Sequence, residues 1–115
     1  MTKDIITAAS FYKKARYFND TYKNLPTAVR EELLAACALT AEAVRGVVSI
    51  GFYSDGTVFI EAEGAEDDWN YDEIGARLIV DEMTTEKAEL LRALRLWYAA
   101  FCTEEGKQIL QAGNE

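Results

Sequence analysis

Histidine is absent from the 115 residues. Its absence removes the Ser-His-Asp and Cys-His arrangements of nucleophilic catalysis, His-ligated zinc, and the usual general base near neutral pH. Basic charge is scarce: 12 Lys and Arg stand against 20 Asp and Glu, a net charge of −8. Phosphate binding needs the opposite excess, so DNA and RNA are excluded as expected partners. The glycines are scattered. Gly46, Gly51, Gly56, Gly64 and Gly75 spell neither G-x-G-x-x-G nor a Walker loop. No apolar run approaches the roughly 20 residues of a membrane span, and none is long enough for a signal peptide. There are two cysteines, Cys37 and Cys102, each within an apolar helical pattern. Cysteines so placed act as small core hydrophobes in a reducing compartment, and a cytoplasmic location is expected. With no histidine to activate a thiol, the reading leans against an enzyme. It assigns no catalytic residue and no cofactor.

What remains has the composition of a soluble globular chain: 50% hydrophobic and 28% charged. One domain spanning residues 1–115 is expected, large enough for one core. Its clearest signal is Gly46–Glu63, GVVSIGFYSDGTVFIEAE, a β-hairpin turning at Ser54-Asp55-Gly56. A two-residue turn would set Ile50 opposite Glu61 and Val48 opposite Glu63. A three-residue turn, with Gly56 left-handed in a bulge, pairs Phe52 with Val58, Ile50 with Ile60 and Val48 with Ala62. The second register makes one face wholly apolar, and a buried face fixes register. On the mixed face Phe59 lies across from Gly51, where its ring can cover bare backbone.

Elements to cover the dry face are expected on both sides. Residues 1–24 interleave Phe11, Tyr12, Tyr17, Phe18 and Tyr22 with Lys13, Lys14, Arg16 and Lys23. Their period fits helix or strand, including a short strand at the hairpin edge. Leu25-Pro26-Thr27 opens a helix with Leu25 or Thr27 as cap, and Gly46 is expected to end it. After an acidic loop, Tyr71–Leu78 reads as a helix start capped by Asn70 or Asp68, with Leu78–Val80 either helix or a third strand. Thr84 or Thr85 is expected to cap the last long helix. Its stripe of Leu90, Leu91, Leu94, Trp97, Tyr98 and Phe101 is the expected lid of the hairpin and is wider than one small sheet requires. Residues 106–115 are expected to fray. The fold class is α+β in two layers: a helix, an antiparallel hairpin, then one or two helices on the same sheet face.

The series Leu25-Pro26, Glu32-Leu33, Cys37, Asp55-Gly56, Tyr71-Asp72-Glu73-Ile74-Gly75 and Glu86-Lys87 through Phe101 resembles a domain-of-unknown-function family of small proteins from gut clostridia. The resemblance covers roughly residues 12–102, and Tyr71–Gly75 is its most specific piece. Arg45-Gly46 stands where that family suggests Gly-Gly. The resemblance implies no activity, cofactor or site residue.

Two constellations point to binding. From Glu61 to Glu73 there are seven acidic residues and no basic one. Within them Asp68-Trp69-Asn70-Tyr71-Asp72 has the opening spacing of a calcium loop, with Asp68, Asn70 and Asp72 as weak metal candidates. The loop's sixth position is Glu73 rather than Gly, and its twelfth is Ile79 rather than a bidentate Glu. A solvated, helix-capping loop explains the same residues. Trp69, Phe59 and Tyr53 are the candidate interaction residues. The expected function is a protein-interaction or regulatory module that self-associates as a homodimer, with no nucleic-acid or membrane partner. The alternatives are a small-ligand or divalent-cation protein using loop 66–73, through Asp67, Asp68, Asn70, Asp72 and Glu73, and a carboxylate-based enzyme.

Overall fold

The computed structural model describes residues 2–113, with side chains through residue 109. Two strands, β1 (Lys3–Ser10) and β2 (Ala15–Phe18), precede helix α1 (Thr27–Val44). The hairpin β3 (Val47–Tyr53) and β4 (Val58–Glu63) follows, then α2 (Glu73–Glu86), α3 (Ala88–Phe101) and α4 (Glu104–Gly113). The fold is α+β, with one antiparallel sheet ordered β2-β1-β3-β4.

The hairpin adopts the bulged register. Phe52 pairs with Val58, Ile50 with Ile60 and Val48 with Ala62. Gly56 takes φ +88°, and its N–H donates to the Tyr53 carbonyl at 2.9 Å. Asp55 fixes the turn by accepting from the Thr57 N–H and hydroxyl, which holds its carboxyl below the usual range. Val48, Ile50 and Phe52 are buried, with Val58 and Ile60 partly buried beside them.

Within residues 1–24, open between helix and strand, Lys3–Ser10 and Ala15–Phe18 form a second hairpin that places β1 in the middle of the sheet, and a 3-10 turn at Asp20–Tyr22 follows it. The ambiguity has a local cause. The β1–β3 register slips between Ile5 and Thr7, so Ile6 is an extra residue that turns into the core. Two adjacent isoleucines therefore take opposite fates, and simple alternation fails. Thr7 is fully buried and donates its hydroxyl to the Tyr17 carbonyl at 2.8 Å.

The lid also differs from expectation. Helix α1 lies over β1 and β3, α2 over β4, and α3 reaches the sheet near the β3–β4 turn. The core is Leu33, Cys37, Ala41 and Val44 of α1 against Ile6, Val48 and Ile50, completed by Ala76, Met83, Leu90 and Leu94. Tyr98 closes the turn end, its ring 4.8 Å from Phe52 and under Gly56.

Four helix boundaries correct the sequence reading. Pro26 is the N-cap of α1, and the left-handed residue ending α1 is Arg45 (φ 55°, ψ 49°) rather than Gly46. Asp72, rather than Asn70 or Asp68, caps α2 by accepting the Gly75 N–H at 2.9 Å. Thr84 and Thr85 sit inside α2 and donate to the Val80 and Asp81 carbonyls, so the break falls at Lys87. Of the tail 106–115 expected to fray, residues 106–113 are helical, within α4; residues 114–115 lie outside the described residues. Among the described residues no helix is long and apolar enough to cross a membrane.

Candidate functional site

The helices cover one face of the sheet. A cleft runs along the border between them and the β4 edge. It has a volume of about 600 Å³, a floor of Ile60, Ala62, Ala76 and Val80, and walls carrying Glu63, Glu73, Arg77 and Asp81. Residues 73, 76, 77, 80 and 81 recur at helical spacing, so one flank of α2 faces β4. Among the described residues the ion pairs are Lys3–Glu61, Lys14–Glu42 at 2.9 Å and Lys87–Glu32 at 3.3 Å. None of the charges in this cleft is in that set.

Tyr71 closes one end. Its ring lies in a slot made by two glycines: a Cβ on Gly64 would stand 2.4 Å from the Tyr71 Cγ, and one on Gly46 2.8 Å from Cε2. The hydroxyl is buried without a hydrogen-bond partner. Burial raises its pKa, and the nearby Tyr12, Glu73, Glu63 and Asp72 raise it further. This end of the cleft is strongly acidic.

The loop before α2 is organised by local bonds. The Asp68 carboxylate accepts the Tyr12 hydroxyl at 2.7 Å and the Asn70 N–H at 3.0 Å, and Tyr12 also accepts the Ala65 N–H at 3.1 Å. Asp72 is occupied as the α2 cap. Of the weak metal candidates, Asp68 and Asp72 thus serve turn and cap. Among the described residues no three His, Cys, Asp or Glu side chains form a group that could hold a metal ion.

The three interaction candidates divide. Trp69 is 94% exposed, and Ile74 (78%) and Leu78 (65%) follow it on the side of α2 away from the core. Phe59 is only 5% exposed: its ring covers Gly51, stands 5.3 Å from Tyr53 and lies under the Lys3 ammonium. It is a structural cover for the sheet's second face, and Tyr53 is half-buried beside it. The sequence reading missed Ile74, Leu78, Leu39 and Leu96 as exposed apolar groups, because apolar residues in a helical pattern read as core.

The cysteines differ. Cys37 is buried, donates to the Val48 carbonyl at 3.3 Å, and has its thiol pKa pushed up to about 12 by burial. Cys102 ends α3 and is exposed, which corrects the expectation that both lie in the core.

A family model described as a family of unknown function (DUF6145) matches residues 3–106. No curated protein and no solved structure matches the chain.

Proposed function

The chain belongs to DUF6145, a family of unknown function, and we propose that it is a small cytoplasmic protein-interaction or regulatory module that self-associates, the homodimer being its smallest assembly. One observation carries the reading. Trp69, Ile74 and Leu78 stand in solvent within ten residues of one another, two of them on one helix face. Large apolar groups gathered in this way mark contact surfaces, whereas single ones need no explanation. An indole at the head of a helix is also the kind of anchor that interfaces concentrate. Two unpaired cysteines support the cytoplasmic location. The likeness of Tyr71–Gly75 to proteins of gut clostridia supports a bacterial source.

The test is the solution mass by light scattering on a sizing column, with the melting midpoint followed over the same concentrations. Self-association of the folded chain raises both as concentration rises. A monomer at high micromolar concentration with a fixed midpoint contradicts the proposal.

A further inference from the structure

Among the described residues the sheet has two free edges, and their backbone groups can be assigned. In the β3–β4 hairpin the Tyr53 N–H donates to the Thr57 carbonyl at 2.8 Å. Antiparallel pairs alternate, so Phe59, Glu61 and Glu63 bond to β3 while Ile60 and Ala62 turn their N–H and C=O outward. In the β1–β2 hairpin the Asn19 N–H donates to the Ile6 carbonyl at 2.7 Å. The same alternation turns Arg16 and Phe18 outward on β2.

The two edges carry opposite charge. Beside β4 stand Glu63, Glu73 and Asp81, with Arg77 the one cation lining the cleft; Glu61, also on β4, is already paired with Lys3. From Phe11 to Asn19 there are three cations, Lys13, Lys14 and Arg16, and no acid. The cleft of about 500 Å³ along β2 is lined by Lys14, Arg16, several alanines, Glu42 and Leu39. Lys14 already neutralises Glu42, and Leu39 is 71% exposed. Direction fits as well. All three strand pairings are antiparallel, so β2 and β4 run oppositely. A second copy displaced sideways along the sheet presents its β2 antiparallel to β4, with both helix layers on the same face.

We infer that the β4 edge of one molecule takes the β2 edge of a second copy as its next strand. The inference rests on the self-association proposed above and adds a second contact, the sheet edges, to the exposed Trp69, Ile74 and Leu78. In the register that fits the outward groups, Arg16 of the second copy pairs with Ala62 and Phe18 with Ile60. Arg16 shares a sheet face with Ala9, which is the helix-covered face. It therefore enters the acidic cleft under α2, while Leu39 of the second copy comes against the α2 flank. The symmetric alternatives are unfavourable. Joining β4 to β4 gathers Glu63 and the acidic cleft walls of both copies, and joining β2 to β2 gathers the arginines. Like charges across paired strands destabilise them. The unlike pairing leaves one β2 and one β4 open, so the assembly does not close at two.

The test uses the full chain and light scattering from low to high micromolar, at low and high salt. Ala62→Pro removes an outward N–H and leaves the β3 ladder intact. Arg16→Glu inverts the charge entering the cleft. Glu63→Lys is a second β4 variant, on an exposed position, should the proline unfold the chain; circular dichroism checks each fold. The wild type is expected to grow past the dimer and to shrink with salt. Each variant alone is expected to be monomeric. Arg16→Glu keeps a sound β4 and Ala62→Pro keeps a sound β2, so an equal mixture of these two forms dimers and stops there; Glu63→Lys mixed with Arg16→Glu restores an opposite-charge pair at the inverted edges as well, so that mixture is expected to grow like the wild type. Variants that assemble like the wild type overturn the edge pairing and leave self-association standing through another surface. So does a closed dimer, or a mixture that stays monomeric while the wild type grows. A wild type that is monomeric throughout overturns both.

Discussion

Residues 45 and 46 share one helix end and solve different problems there. Arg45 holds a left-handed backbone that costs a side-chain-bearing residue about 1 kcal/mol. Gly46 is held by space: a Cβ would stand 2.6 Å from the Glu63 carbonyl oxygen and 2.8 Å from Tyr71. Adjacent substitutions are therefore expected to have opposite signs. Arg45→Gly should raise stability by about 0.5–1 kcal/mol, and Gly46→Ala should lower it by about 1–3 kcal/mol, both read from urea midpoints. Gly64→Ala should behave like Gly46→Ala, because its Cβ falls on the same ring.

The thiols give a second pair of residue-scale predictions. Cys102 is exposed and should react with a thiol reagent in the native protein, while Cys37 should react only on unfolding. Burial raises the Cys37 pKa to about 12, and it also raises that of Tyr22, whose hydroxyl bonds to Asp4. A folded pKa above the unfolded one favours the native state while the group is protonated, and that gain is lost as pH rises. Stability should therefore fall between about pH 9 and pH 12 as the Cys37 gain is lost, by on the order of 1 kcal/mol per pH unit, and Tyr22 should add to the fall above about pH 10. Thermal melts over that range check it, and Cys37→Ala should flatten part of the slope.

At the scale of elements, the β3–β4 register was readable because five apolar side chains alternate cleanly and only one turn length puts them on one face. Strand β1 was not readable because its extra residue, Ile6, breaks the alternation and because its core face includes Thr7, satisfied by a carbonyl that only the fold supplies. The α2–α3 break was misplaced for a similar reason. Threonines at 84 and 85 read as caps, yet both bond back one turn. Of the site, the acidic run and Trp69 were legible from composition. The cleft between β4 and α2 was not, since it joins residues 60–64 to 71–81 only when α2 lies on the sheet.

For the whole molecule, the consequence of β1 lying in the middle is that β3 has no open side. Among the described residues the open edges are β2 and β4, at opposite borders and with opposite charge. Amide hydrogen exchange along β4, followed by NMR at low and high protein concentration, tests this arrangement most directly. In dilute protein the Ile60 and Ala62 amides should exchange fast while Phe59 and Glu61 are protected, and Ile60 and Ala62 should gain protection as concentration rises. Ile60 and Ala62 amides that are protected in dilute monomer, or that stay unprotected while the mass grows, would contradict the account.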